Sequence, residues 1–256
     1  MRARKRFGQH FLNDTAVLER IAGALAVGDD DRIFEIGPGH GSLTEHVYRP
    51  GMHYTAVEID RDLIAFLQAR FPQMHVINDD ILRVDLPALL AGEQWRVIGN
   101  LPYNISSPLL LLCAGTARAT GIRDMHFMLQ REMAERLSAV PGTKAWSRLS
   151  ITMQLLCSIE YLFDVAPTSF TPAPKVWSTV VRLVPRPDAI DERTQKQLNG
   201  VLTAAFSGRR KRLSNSLQRF AIDWDQVDLD PGLRADNVTA EQYLELASAC
   251  PKCAAF

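Results

Sequence analysis

The chain has 256 residues, 46% of them hydrophobic and 23% charged, which fits one large domain or a main domain with a small one. Its 29 basic and 29 acidic residues cancel, so net charge gives no argument for a nucleic-acid partner and only the placement of charge can. No apolar run approaches the roughly 18 residues of a membrane span, and the basic start lacks an apolar signal core, so the cytoplasm is the expected compartment.

In chain order, Arg2, Arg4, Lys5 and Arg6 form a first basic block. Residues 32–36 are a short apolar run ending in a glycine turn, and residues 42–49 carry a helical pattern. Residues 54–59 predict a second strand ending in acid. Leu63, Ile64, Leu67 and Phe71 then recur at helical spacing. Residues 75–77 predict a third strand, followed by Asn78, Asp79 and Asp80. Residues 95–99 predict a fourth, followed by Asn100, Leu101, Pro102 and Tyr103 and a helix over 108–114. A fifth strand over 125–129 precedes helices over 131–139 and 146–157, and the last strands fall at 159–165 and 177–184. Alternating strands and helices imply a mostly parallel sheet covered on both faces. Pro185, Arg186 and Pro187 interrupt the pattern, so domains of 1–185 and 186–256 are expected, the second one helical. Cys113 and Cys157 read as small core residues. Cys250 and Cys253, a lone C-x-x-C without histidine, read as reduced thiols rather than a metal site.

Ligands of open α/β sheets bind at the carboxyl ends of the strands, where the informative residues gather. Gly37, Gly39 and Gly41 follow the first strand in G-x-G-x-G spacing, not the G-x-G-x-x-G of a dinucleotide site. Pro38 removes a backbone donor, and Glu35 is badly placed beside a polyanion. A cofactor without phosphates fits better, and S-adenosyl-L-methionine is one, with a positive sulfonium. Glu58 ends the second strand about 20 residues after the turn, where a carboxylate can bond both ribose hydroxyls. Asp80 follows the third strand, in reach of an adenine amino group. Read singly, each is a solvated strand-end acid; three signals at consecutive strand ends favour a site.

Asn100 to Tyr103 follow the fourth strand. Alone they read as a turn. In this setting an amide, a stiffened backbone and an aromatic ring can grip a planar group bearing an exocyclic NH2. The Asn100 oxygen and a carbonyl of Leu101 or Pro102 would accept the N–H bonds and localise the nitrogen lone pair for attack on a methyl group. Positioning supplies most of such catalysis. No strong base is required, and His40, His46 and His126 are expected to be ordinary histidines.

The chain resembles the bacterial small-subunit ribosomal RNA adenine dimethyltransferases, the enzymes that confer kasugamycin sensitivity. The motifs are RKRFGQHFL at 4–12, EIGPG at 35–39, EID at 58–60, GNLPYNIS at 99–106, MLQRE at 128–132, FTPAPKV at 170–176 and FSGRRK at 206–211. The resemblance implies a Rossmann-like class I methyltransferase sheet with a small C-terminal helical domain. It also implies dimethylation of N6 on two adjacent adenosines near the 3′ end of 16S rRNA, in a small subunit or its precursor, by a monomer. It puts the cofactor on His10, Leu12, Gly37, Gly39, Glu58, Asp80 and Asn100, with His10 standing where many members carry Asn. It has Tyr103 and Phe170 sandwich the target base. Arg209, Arg210, Lys211 and Arg212, four consecutive basic residues at the start of a helix where acids are preferred, read as phosphate contacts rather than as a solvated charged face. The alternatives are a large-subunit adenine methyltransferase and a non-catalytic ribosome assembly factor.

Overall fold

The computed structural model describes residues 10–208 and 210–250, so Arg2, Arg4, Lys5, Arg6, Arg209 and Cys253 lie outside the described residues. The chain divides into two compact units. One takes the described residues up to Ala134 together with Ile159–Pro185; the other takes Glu135–Ser158 together with the described residues from Arg186 on.

The strands are β1 (Phe11–Leu12), β2 (Arg32–Ile36), β3 (Tyr54–Glu58), β4 (His75–Asn78), β5 (Trp95–Asn100), β6 (Ile122–Gln130), β7 (Cys157–Val165), β8 (Phe170–Thr171) and β9 (Ser178–Pro185). Seven of them form one sheet in the order β4-β3-β2-β5-β6-β9-β7, flanked by helices as expected. The pairs β3–β4, β2–β3, β2–β5 and β5–β6 are parallel, and β6–β9 is antiparallel. β2, β3 and β5 are buried along nearly their whole length, which is why they read as continuous apolar runs rather than alternating ones.

The helices of the first unit are α1 (Thr15–Leu25), α2 (Ser42–Val47), α3 (Arg61–Arg70), α4 (Leu86–Leu90) and α5 (Ser106–Thr120). Asp14 starts α1 by accepting the amides of Ala16 and Val17, and Leu18, Ile21 and Leu25 form its buried stripe. That stripe shares a core cluster with Ile33, Ile98, Met128 and Val180 of the sheet. Sequence periodicity had not marked α1, and it placed α5 too short: the helix starts at Ser106, whose hydroxyl donates to Pro102 O, and runs to Thr120.

Across the middle of the sheet runs a buried ionic row. Arg96 donates to both carboxylate oxygens of Asp124, at 2.8 and 2.9 Å, and to Asp31 at 3.0 Å. Arg182 adds a contact to Asp124 at 3.3 Å. Burial works against the Asp124 charge, but the Arg96 bonds and charge outweigh it and hold this carboxyl below its ordinary range.

After α6 (Arg131–Leu137), α7 (Arg148–Leu156) leads into β7; α8 (Glu192–Phe206), α9 (Leu213–Ser216) and α10 (Ala240–Ser248) follow β9. The expected 1–185 domain placed 135–158 with the sheet. The structure groups this segment with the second unit instead, because Trp146, Ile151 and Leu155 share a core with Leu198, Val201, Tyr243 and Leu246. The Trp146 indole N–H donates to Val238 O at 3.0 Å within that core. Cys113 and Cys157 are buried and in no disulfide, and burial pushes the Cys157 thiol up to about 12. Cys250, expected as a reduced thiol, is disulfide-bonded instead.

Removing one partner of a buried ion pair strands the other charge. Asp124→Ala is therefore expected to lower stability by about 3–5 kcal/mol, measured by urea denaturation. A loss below about 1 kcal/mol, the worth of a surface pair, would show that the row is not a structural anchor.

Candidate active site

The carboxyl ends of β2, β3 and β5 open into a cavity of about 280 Å³ that reaches from Glu58 and Asp80 past Gly37 to Asn100 and Tyr103. Leu12 and His10 also line it. Of the residues expected at the site, only Phe170 among those described in the first unit is missing from this wall.

The glycine turn is tied up internally. The Gly37 N–H donates to Val57 O at 2.9 Å, Gly41 N–H to Pro38 O at 2.8 Å and Gly39 N–H to a Glu58 carboxylate oxygen at 3.0 Å. Pro38 has no N–H to offer. Gly39 is needed on two counts: its φ is +59°, and a Cβ there would lie 3.0 Å from the Phe11 ring. Gly99 is needed for closeness alone, since a Cβ would lie 2.7 Å from Ile36 O, between adjacent strands. The turn thus shapes the cavity but presents no cradle of free amides for phosphate.

Two buried carboxyls reinforce this. Glu58 is 3% exposed, accepts from Gly39 N–H and from Asp60 N–H at 2.9 Å, and is pushed up in pKa by burial. Glu35 is 2% exposed and accepts from the Thr44 and Tyr54 hydroxyls, both at 2.6 Å. Burial raises its pKa to about 7. A pyrophosphate would meet carboxylates here; a cation or an uncharged ribose would not be repelled. Asp80 is held in its turn by accepting the Leu82 amide at 3.0 Å, and its side chain remains 34% exposed.

Asn100 is fixed by a contact across 90 residues of sequence: its side-chain nitrogen donates to His10 O at 2.9 Å. A backbone carbonyl only accepts, so the amide orientation is determined and Asn100 Oδ1 is left as the free acceptor. The His10 ring donates from Nδ1 to Pro172 O at 2.7 Å and stacks on Tyr103 with centroids 5.6 Å apart. β1 holds His10 there by pairing with β8, Phe11 opposite Thr171 and Leu12 opposite Phe170. Pro102 O already accepts from Ile105 N at 3.1 Å and from Ser106 Oγ at 2.9 Å, which fills both lone pairs. Tyr103 Oη shares a 3.0 Å hydrogen bond with Ser178 Oγ.

The first 251 residues match the family model described as ribosomal RNA adenine dimethylase. This chain belongs to that family. It is 46% identical over 252 residues to the ribosomal RNA small subunit methyltransferase A of Bordetella petrii, covering 96% of this chain and 95% of the relative. It is 43% identical to the protein of the same name from Acidithiobacillus ferrooxidans, covering 97% and 94%. Among solved structures, a dimethyladenosine transferase from Plasmodium falciparum superposes with a TM-score of 0.76 at 24% identity, over 93% of this chain and 96% of that one. The 23S rRNA methyltransferase ErmE superposes with a TM-score of 0.69 at 26% identity, over 94% and 99%.

Within this family member, His10, Leu12, Gly37, Gly39, Glu58, Asp80, Asn100, Leu101, Pro102 and Tyr103 all line one cavity. Phe170 does not: its ring is 3% exposed and packed in the core cluster beside Leu12. As it stands, that ring cannot stack on a base. Only the resemblance placed it at the base; its own setting before Pro172 reads as core or loop packing. Arg210, Lys211 and Arg212 are exposed in the second unit, with Arg212 capping the short α9. Two further cavity residues carried no assigned role: Phe11 lay only within the 4–12 motif, and His126 was expected to be an ordinary histidine. Phe11 packs on the His40 ring at 4.5 Å. His126 is buried with neither ring nitrogen hydrogen-bonded, and burial lowers its pKa to about 4, so it is a neutral wall residue.

Glu35 gives a pH test. Between its ordinary 4.5 and its folded value of about 7, the folded protein holds a proton that the unfolded chain has lost, so stability falls as pH rises through that window. Glu58, also raised, acts in the same sense. Thermal melts of Glu35→Gln from pH 5 to pH 8 are expected to be clearly flatter than those of the parent protein, with the largest relative gain at pH 8. Parallel curves would contradict the assignment.

Proposed function

We infer that this chain transfers methyl groups from S-adenosyl-L-methionine to N6 of adenine in small-subunit ribosomal RNA. The observation that carries the reading is the fixed amide of Asn100, with nitrogen committed to His10 O and oxygen left over at the cavity wall. Asn100 Oδ1 accepts one N–H of the target amine. With Pro102 O filled, the carbonyl of Leu101 is the second acceptor, since no donor among the described residues takes it up. Two bonds in these directions draw the amine out of conjugation with its ring, so the lone pair becomes available for in-line attack. Tyr103 stacks on the base face, with its hydroxyl anchored on Ser178.

The residues present fit the cofactor. Glu58 would hold its ribose, Asp80 its adenine amino group, and Gly37, Gly39, His10 and Leu12 its amino-acid end. The spent glycine amides and the two buried carboxyls suit a cationic ligand without phosphates. When bound, this cofactor supplies an electrophilic methyl group on a sulfonium. The chain needs no buried base, because the amine becomes acidic once methylated and can release its proton to water.

The finer reading is that both of two adjacent adenosines in the 3′-terminal hairpin are dimethylated, in a small subunit or its precursor. The protein works as a monomer in the cytoplasm. No helix among the described residues is long and apolar enough to cross a membrane. Arg210, Lys211 and Arg212, with Arg209 beside them in sequence, would hold phosphates.

The test is incubation with labelled cofactor and undermethylated small subunits, then large subunits, with the product nucleosides resolved. Label in N6-dimethyladenosine from small subunits alone is the expected result, and label only from large subunits would overturn it. Asn100→Ala, assayed at saturating cofactor because Asn100 also borders the cofactor, is expected to lose at least about 100-fold in turnover, the scale of one lost transition-state hydrogen bond. Retained RNA binding would place the loss in the chemistry, whereas near-parental turnover would remove Asn100 from it. Changing Arg210, Lys211 and Arg212 to Ala is expected to weaken subunit binding and to reduce the logarithmic salt slope by about 0.7–0.9 per lost phosphate contact. An unchanged slope with an unchanged melting temperature would move RNA recognition elsewhere.

A further inference from the structure

At the carboxyl edge of the sheet the chain leaves an indole in water. Trp177 is 48% exposed and Val176 beside it 42%, although an indole is among the costliest side chains to leave hydrated. The position is set by strand pairing. Gln130 of β6 lies opposite Ser178 of β9, and the next step is a hydrogen bond from Arg131 N to Trp177 O at 2.9 Å. Trp177 is therefore rigidly held by its backbone at the rim while its ring stays free. The residue next to it, Ser178, is the one that anchors the Tyr103 hydroxyl. Across the sheet, Asn100 lies level with Met128 and Met128 with Val180, so the β9 rim is two strand spacings, about 10 Å, to the side of Asn100. Lys175, also exposed, has no acidic partner among the described residues. Arg131 and the Tyr161 hydroxyl both engage Asp164 nearby, which offsets that carboxylate.

We propose that Trp177 is a stacking platform for a nucleotide flanking the target adenine, with Lys175 facing its phosphate, and so a specificity-determining residue for the RNA strand. The proposal rests on the reading of the cavity as an RNA adenine N6 site. A base turned into the cavity pulls its neighbours to the rim unstacked, and an unstacked base is held by an aromatic face and a cation. The occupant is RNA rather than protein because Trp177 adjoins Ser178, which anchors Tyr103 of the cavity wall, and because the exposed Lys175 beside it suits a phosphate.

The experiment compares Trp177→Ala and Trp177→Phe with the parent protein on undermethylated small subunits, and adds ultraviolet cross-linking of the parent complex. Trp177→Ala is expected to raise KM for subunits roughly tenfold or more, with kcat, cofactor affinity and melting temperature unchanged. Trp177→Phe should fall between the two. The cross-linked peptide should carry an rRNA nucleotide next to the methylated adenosine. A KM for Trp177→Ala within twofold of the parent, or a cross-link to a ribosomal protein, would overturn the proposal. If the parent protein transferred no methyl to small subunits, the function reading would fail on its own, and the cross-link would still decide whether Trp177 meets RNA.

Discussion

The bidentate ion pair of Arg96 with Asp124 fixes how β5 lies against β6, and the geometry of the site follows from that register. The two residues are direct partners across the strands and are 4% and 0% exposed at their side chains. Because side chains alternate faces with a period of two, a slip of one residue would turn one of the two charges to the other face of the sheet and split the pair. With the pair in place, Asn100 lies level with Met128, and the chain leaves β5 through Leu101 N, which donates to Met128 O at 3.1 Å. The amide, the Leu101 carbonyl and the Tyr103 ring are thereby delivered to the edge of the sheet as one rigid group. β9 is aligned by the same row through Arg182, and it carries Ser178 to the Tyr103 hydroxyl.

A second constraint closes the site from the amino-terminal side. β1 is only two residues long, yet its pairing with β8 places His10 between Pro172 and Tyr103 and presents its carbonyl to Asn100. A short two-strand pairing contributes little stability by itself. Its weight comes from Leu12 and Phe170, which are buried in the same core as α1. Core packing therefore holds the backbone group that orients the Asn100 amide. This also explains why Phe170 is unavailable as a stacking partner in this arrangement.

The electrostatics of the glycine turn differ from those of a phosphate site. A glycine turn after the first strand of an α/β sheet commonly serves phosphates, but here its amides are spent on Val57, Pro38 and Glu58. The carboxyl groups of Glu35 and Glu58 line the cavity beside the turn, a lining that suits a ligand without phosphates. Burial keeps those carboxyls high in pKa, and the cost in stability is tolerated because the surrounding strands are otherwise apolar.

The sequence by itself determined what local pattern can encode: apolar runs for β2, β3, β5 and β6, a glycine turn whose spacing rejects a dinucleotide, acids at successive strand ends, and an amide–proline–aromatic segment where the amine would lie. These depend on period, turn chemistry and strand-end position, all of which are short-range. Only the tertiary structure decided which groups those residues meet. It committed the Asn100 nitrogen to a carbonyl 90 residues away, filled the Pro102 carbonyl and so left that of Leu101, buried Phe170, and drew residues 135–158 into the helical unit around Trp146. Each of these outcomes depends on a partner distant in sequence or on the filling of a core by volume. A pattern of apolar and polar residues records which face is buried, but not which neighbour lies against it.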